Sequence, residues 1–233
     1  MPDHFRQIYA AHADRYDRMV SREDYQGNLL PALEHIRPLA GLDVVEFGAG
    51  TGRLTRLLAP LVRSIRAFDA SHHMLDVASD SLRRMGLNNW HLAVADNSSL
   101  PVGSGCADLA IEGWSFGHAT GWYPDRWREV IGAALTEMRR VLRPGGTAVV
   151  IETLGTGFET PHPPNPVLAE FYLWLEQEHA FVPGWVRTDY RFESLEEAVE
   201  LTRFFFGDEL AGQVEQHGWV VLPECTGIWR REY

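Results

Sequence analysis

Apolar and polar positions along this chain switch repeatedly between a helical period and short, dense apolar runs. Over 5–20 apolar side chains recur at helical spacing, and a second helical stretch covers 28–37. Gly41 ends that pattern, and 42–47 is a compact apolar run of strand length. A helix at 53–61, a strand at 64–69, a helix at 71–86 and strands at 90–95 and 107–111 follow. A long helical pattern over 125–142 stops at Pro144-Gly145-Gly146, a helix stop followed by a turn, and 147–153 is a fifth strand. Five strands alternating with helices predict an α/β fold built on a parallel, doubly wound sheet with right-handed crossovers.

The alternation then breaks. The stretch 155–184 carries Pro161, Pro163, Pro164, Pro166 and Pro183 and holds a short aromatic helix at 167–179, so it reads as an insertion over the strand ends. Its Phe171, Trp174 and Phe181 are either a lid over a ligand or the core side of one amphipathic helix. Residues 185–192 alternate like a strand, and Ser194-Leu195-Glu196-Glu197 is a capping box that starts a helix running towards Phe206. Along that helix Leu201, Phe204, Phe205 and Phe206 read as buried packing. A last strand covers 219–229, where Pro223 favours an edge or a bulge. The expected organisation is one domain over 1–233, with a helical cap at 1–40 and the proline-rich insertion at 155–184.

Composition narrows the partners. There are 21 basic against 32 acidic residues, a net charge of −11, and no basic cluster, which disfavours nucleic acid as a partner. All the basic side chains are arginines, so no lysine Schiff base or lysine general base is available. Cys106 and Cys225 stand far apart without ligand spacing, as expected of a reduced, cytoplasmic protein. No apolar run approaches the roughly 20 residues that span a bilayer, and Met1-Pro2-Asp3-His4 is unlike a signal peptide. Composition leaves monomer and homodimer equally open. The ten histidines form no recognisable metal-binding pattern.

The chemistry concentrates in Val44-Val45-Glu46-Phe47-Gly48-Ala49-Gly50-Thr51-Gly52-Arg53. An apolar strand ends in an acid, passes three alternate glycines and opens into a helix, a turn suited to a nucleotide-like ligand. A dinucleotide fingerprint needs a third glycine where Arg53 stands. Asp69 ends the second strand beside this turn, where a carboxylate can accept both ribose hydroxyls, in NAD as well as in other nucleosides, or can cap the helix starting at Ser71. Asp96 ends the third strand in Ala95-Asp96-Asn97-Ser98-Ser99-Leu100-Pro101.

The run Glu46-x-Gly48-x-Gly50-x-Gly52, with Asp69, Asp96 and the Arg143-Pro144-Gly145-Gly146 turn behind it in order, resembles the class I S-adenosylmethionine (SAM) dependent methyltransferases over 41–153. The stretch Tyr9 to Met19, with Tyr16-Asp17, is similar to the opening helix of the quinone and small-molecule branch. The resemblance implies a Rossmann-like, mostly parallel seven-stranded sheet with helices on both faces and an antiparallel final strand. It implies SAM as cofactor, S-adenosylhomocysteine (SAH) as product and a small or medium-sized organic acceptor. By position, Glu46 would anchor the motif at the methionine end, and Gly48, Ala49, Gly50 and Gly52 would make close backbone contacts. Asp69 would hold the ribose, while Ala70, Ser71 and Met74 flank the adenine and Asp96 with Asn97 reads its edge. Glu112 and Gly113 would line the methionine portion, and Tyr16 would sit near its amino acid end.

Methyl transfer from a sulfonium is an in-line displacement, so the protein mainly aligns two reactants. The aromatic segment 112–123 after the fourth strand is the expected acceptor wall, through Trp114, Phe116 and Trp122. It lacks the Asn/Asp-Pro-Pro-aromatic sequence of enzymes that methylate DNA bases or glutamine side chains. His118 within it is the candidate general base, given an imidazole near its ordinary pKa. Two other readings stay open at this point: a SAM-binding scaffold without turnover, and a nicotinamide oxidoreductase.

Overall fold

The computed structural model describes residues 2–233. The chain opens with three helices, α1 (Pro2–Ala11), α2 (Ala13–Val20) and α3 (Leu29–Ile36). It then alternates β1 (Asp43–Phe47), α4 (Arg53–Leu58), β2 (Ser64–Asp69), α5 (His72–Arg84), β3 (Trp90–Val94) and β4 (Ala107–Gly113). After β4 come α6 (His118–Trp122), α7 (Trp127–Val141), β5 (Leu142–Thr156) and α8 (Pro166–Gln177). The rest is β6 (Val182–Arg187), β7 (Tyr190–Arg191), α9 (Leu195–Phe206), α10 (Asp208–His217), β8 (Val221–Leu222) and β9 (Glu224–Glu232).

Seven strands form one sheet in the order β3-β2-β1-β4-β5-β9-β6, parallel from β3 to β5, with the final strand β9 antiparallel to both its neighbours. This is the doubly wound, Rossmann-like architecture expected. Strand residues alternate between two cores, as the period of two requires. Val44, Leu109, Ile111, Val149 and Ile151 pack with α3 and α4 on one face. Val45, Phe47, Ala110, Ala148 and Val150 pack with α7 and α8 on the other. The order reverses between β1 and β4, which pair directly, so their carboxyl ends diverge into a crevice.

Several elements differ from the sequence expectation. The helix at 5–20 breaks at His12 into α1 and α2, which both lie over the carboxyl end of the sheet against α5. The expected 1–40 cap begins at Met1, which lies outside the described residues. Pro144-Gly145-Gly146 does not leave the sheet: β5 pairs Leu142 with Ala107 and Thr147 with Leu109, so the turn is a bulge inside a continuous strand. Pro223, without an N–H to donate, divides the last predicted strand into β8 and β9. The strand expected at 185–192 begins earlier, at Val182, and divides into β6 and β7. Helix α10 went unread, although Gly207 before it, Asp208 and Glu209 in its first turn and a left-handed Gly218 at its end are ordinary helix signals.

Helix α8 of the proline-rich insertion belongs to the core. Phe171, Tyr172, Trp174 and Leu175 of α8 are buried against Trp127 and Trp229, and Asn165 caps the helix by accepting from Leu168 N at 2.9 Å. An amphipathic helix with three large rings gains more from a dry core than from a wet rim. A separate small core joins Met19 of α2 to Tyr190, Leu201, Val214 and Leu222, while Phe204, Phe205 and Phe206 are only half-buried.

Candidate functional site

A cavity of about 520 Å³ opens at the carboxyl ends of β1, β2 and β4, of a size typical for small-molecule sites. Its floor is the turn after β1. Gly48 (φ +65°), Gly50 (φ +54°) and Gly52 (φ +81°) all take left-handed backbone angles. At Gly48 a Cβ would collide with the Ser115 side chain, so the close approach of the two loops also requires glycine there. Gly52 does not line the cavity, contrary to expectation; a Cβ there would stand 3.0 Å from that of Ala78, and the glycine serves close packing of α4 on α5.

Asp69 closes the turn from β2. Its Oδ2 accepts from Gly50 N and its Oδ1 from Ser71 N, both at 2.8 Å. Burial raises its carboxyl above the usual range, with the two N–H donors pulling it back part of the way. Ala70, Ser71 and Met74 line the cavity beside it, with Ser71 capping α5 by accepting from Met74 N at 3.3 Å. Asp96 and Asn97 line the far wall; the Asp96 carboxylate accepts from Ser98 N and Oγ, which holds its pKa below the usual range. Glu46 lies at the base, where Thr55 Oγ1 donates to it at 2.6 Å and burial pushes its carboxyl up to about 8.

Two further acids shape the wall without reaching it. Glu112 is fully buried, and Gly113 lines the cavity in its place, because the strand turns alternate side chains away from the crevice. The Glu112 carboxylate accepts from the backbone N–H groups of Ser115, Phe116 and Ile151, and Glu152 accepts from Gly117 N at 2.5 Å. The pair thus fixes the segment that carries Trp114, Phe116 and His118, all of which line the cavity along with Trp122. Trp114 holds φ +55° and lies under the Arg53 guanidinium, 3.9 Å from the ring centroid. Phe116 is almost wholly buried against Phe47.

The roof comes from α1 and α2. Tyr16 lines the cavity, and burial, opposed in part by Arg53, raises its hydroxyl pKa. Tyr9 packs edge-on against Tyr16, and its hydroxyl lies 2.7 Å from His118 Nε2. Burial raises the Tyr9 pKa and lowers that of His118 to about 4, so a neutral phenol shares this hydrogen bond with a neutral imidazole that also stacks on Trp122. The expectation of a His118 near its ordinary pKa is therefore corrected: desolvation keeps the imidazole neutral, and its Nε2 is already engaged by the Tyr9 hydroxyl.

Sequence reasoning did not single out Arg6, Tyr9, Thr51, Arg53 or Ser115 on this wall. Arg53 was visible as the break in the dinucleotide spacing, and Tyr9 stands at the head of the Tyr16 motif. Their partners, Glu23 at 2.6 Å from Arg53 and His118 against Tyr9, lie far off in sequence. Among the described residues, no three His, Cys, Asp or Glu side chains gather to hold a metal ion, and no helix is long and apolar enough to cross a membrane.

A family profile described as a methyltransferase domain matches residues 44–146. The malonyl-[acyl-carrier protein] O-methyltransferase of Methylococcus capsulatus is 30% identical over 145 residues, 59% of this chain and 47% of its own length. The demethylmenaquinone methyltransferase of Tropheryma whipplei is 28% identical over 181 residues, 77% of this chain and 67% of its own. The chain spans about half the length of several curated relatives that it matches, 55% and 47% in two cases. A crystal structure of a SAM-dependent methyltransferase from Aquifex aeolicus shares the fold over 99% of this chain and 97% of its own, with a TM-score of 0.57 at 16% identity. The glycine turn, Asp69 and Asp96 thus converge on one cavity inside the segment 44–146 that matches the methyltransferase-domain family.

Proposed function

We propose that this chain transfers a methyl group from SAM to a small or medium-sized organic acceptor. The observation that carries the proposal is the Asp69 carboxylate bonded to Gly50 N across the glycine turn, at the edge of a cavity placed where the strand order reverses.

The residues present fit the cofactor. A Cβ built at Gly50 would meet only ordinary contacts, Met74 Cε at 3.6 Å and Tyr16 Cε1 at 3.9 Å. Thr51 Oγ1 and Arg53 Nη2 are buried beside the cavity with no hydrogen-bond partner among the described residues, a cost that a ligand carboxylate would remove. Asp69 is the residue to hold the ribose hydroxyls. Ala70, Ser71 and Met74 are placed to flank the adenine, Asp96 and Asn97 to bond its edge, and Glu46 and Gly113 to border the methionine chain. When bound, SAM supplies a methyl group already activated by its sulfonium charge. The chain contributes alignment and exclusion of water, effects worth several kcal/mol of barrier in general. Tyr9, Tyr16, Trp114 and Trp122 close the roof and sides with aromatic surface, which favours a cationic centre by about 0.5–2 kcal/mol per face.

Calorimetric titration with SAH tests the site. Wild type should bind, and Asp69→Ala should bind at least tenfold more weakly, since hydrogen bonds to a charged group contribute about 1.5–3 kcal/mol. Turnover is then read as SAH release from SAM with a panel of small acceptors. Absence of SAH binding, or undiminished affinity in Asp69→Ala, overturns the assignment.

A further inference from the structure

The acceptor side of the cavity is apolar, lined by Tyr9, Phe116, Ala119, Trp122, Ile131 and Ala134. Its ionisable groups are nearly all committed. Asp69 holds two backbone N–H groups, Asp96 holds Ser98 and Glu46 holds the Thr55 hydroxyl at the base. His118 Nε2 faces the Tyr9 hydroxyl, and Arg53 is paired with Glu23 through Nη1, its unpartnered Nη2 being the group assigned above to the cofactor's carboxylate. Arg6 differs. It is exposed on α1, lines the cavity, and stands with its guanidinium carbon 5.4 Å from the centre of the Trp122 ring. It makes no ion pair among the described residues, in a molecule whose net charge of −11 otherwise repels anions.

We propose that the methyl acceptor is an organic anion on an aromatic or extended apolar body, with its charge held at Arg6 and its body against Tyr9, Trp122 and Ile131. An amine acceptor would find no free carboxylate on this wall, and a neutral alcohol no free base. An anion needs neither. Its lone pair forms the bond to the methyl carbon while the carbon–sulfur bond breaks, its electron pair passing to sulfur. Anionic and sulfonium charges cancel, and no proton has to be moved. Because Trp122 stacks on His118 and lies against Arg6, an apolar body packed beside the indole brings its charge to the guanidinium.

This inference rests on the methyltransferase reading, and its test separates the two. Wild-type protein is loaded with SAH, and binding of 1-naphthoate, 1-naphthamide and 1-naphthylmethylamine is measured by calorimetry. The acid should bind at least tenfold more tightly than the amide or the amine. Arg6→Gln should erase that preference and Arg6→Lys retain most of it, with SAH titration reporting that each variant is folded. Equal binding of acid and amide, preference for the amine, no binding of the acid, or an undiminished preference in Arg6→Gln each overturns the inference while leaving the SAH result standing. Failure of SAH itself to bind overturns the methyltransferase reading, and this inference with it.

Discussion

Gly48 combines two requirements that no other residue meets. Its φ of +65° costs an L side chain about 1 kcal/mol or more, and the space a Cβ would fill belongs to the Ser115 side chain. Ser115 in turn accepts from Asn97 Nδ2 at 3.3 Å, so displacing it disturbs the wall expected to meet the adenine edge. Gly48→Ala should lower stability by about 1–3 kcal/mol, seen as a shift in thermal midpoint, and weaken SAH binding by at least tenfold. Gly52→Ala offers the contrast. Its obstruction is Ala78 on α5, away from the cavity, so it should destabilise the fold with a much smaller loss of SAH affinity per kcal/mol of stability. Equal ratios of affinity loss to stability loss in the two variants would contradict the separation of roles. The neighbouring Glu46 makes the same point chemically: its carboxyl, raised by burial to about 8 and bonded by Thr55, is held by the strand end and the first turn of α4 together.

At the scale of elements, the segment between β4 and α6 is fixed by two buried carboxylates on adjacent parallel strands, and this has a consequence in pH. Burial pushes Glu152 up to about 8 and raises Glu112 as well, the latter helped by Glu152, against an unfolded glutamate value of about 4.3. A group whose folded pKa is raised binds its proton more tightly when folded, so its contribution is complete below the unfolded value and is lost as pH rises through the folded one. His118, lowered by burial to about 4, has the opposite sign, and its effect ends near the unfolded histidine value of about 6.5. The interval from about 6.5 to 8 therefore lies above the contribution of His118 and within that of the raised glutamates, Glu46 and Glu224 included, since burial raises both to about 8. The thermal midpoint should fall across that interval, by about 2–4 °C for each kcal/mol in a chain of this size, and fall less in Glu152→Gln. A midpoint that rises or stays level from pH 6.5 to 8.5 would refute this. Helix α8 makes a complementary case. Phe171→Ala should cost about 3–5 kcal/mol as a core truncation yet leave SAH affinity near wild type in protein kept below its melting range, because α8 does not touch the cavity. These elements also mark how far the sequence could be read. The β1 turn, Asp69 and Asp96 were legible because their chemistry is local: a strand end, a glycine turn and a helix cap within a few residues. The roof was not, because the break at His12 and the pairing of Tyr9 with His118 depend on tertiary packing. Nor was the fate of α8, whose aromatic face is equally consistent with core and lid until Trp229 of β9 is known to stack on Tyr172.

For the molecule as a whole, the cavity is closed by a part of the chain that the parallel sheet does not hold. Helices α1 and α2 rest on α5 on one side and on α9 on the other, and the second attachment adds ion pairs to its apolar contacts. Arg18 and Arg22 both donate to Glu197 Oε1, while Glu193 N donates to its Oε2 at 2.7 Å. Burial pushes the Glu197 carboxyl up, but these donors more than offset it and hold it below the ordinary range. Glu197 is nearly inaccessible, whereas Arg18 is half-exposed, so the pin is worth more than a surface pair but less than a fully buried one. Removing it in Glu197→Ala leaves two guanidinium groups without their shared acceptor and should cost about 2 kcal/mol. Because Tyr9 and Tyr16 stand on these helices, the loss should reach the cavity: amides of α1 and α2 should exchange faster with deuterium, and SAH should bind more weakly. In the wild type, SAH should slow exchange in the same two helices, since binding and cap closure stabilise each other by the same free energy. If exchange in α1 and α2 is unchanged by SAH, the cap does not respond to the ligand. If Glu197→Ala speeds that exchange without weakening SAH, the pin holds the fold and not the site.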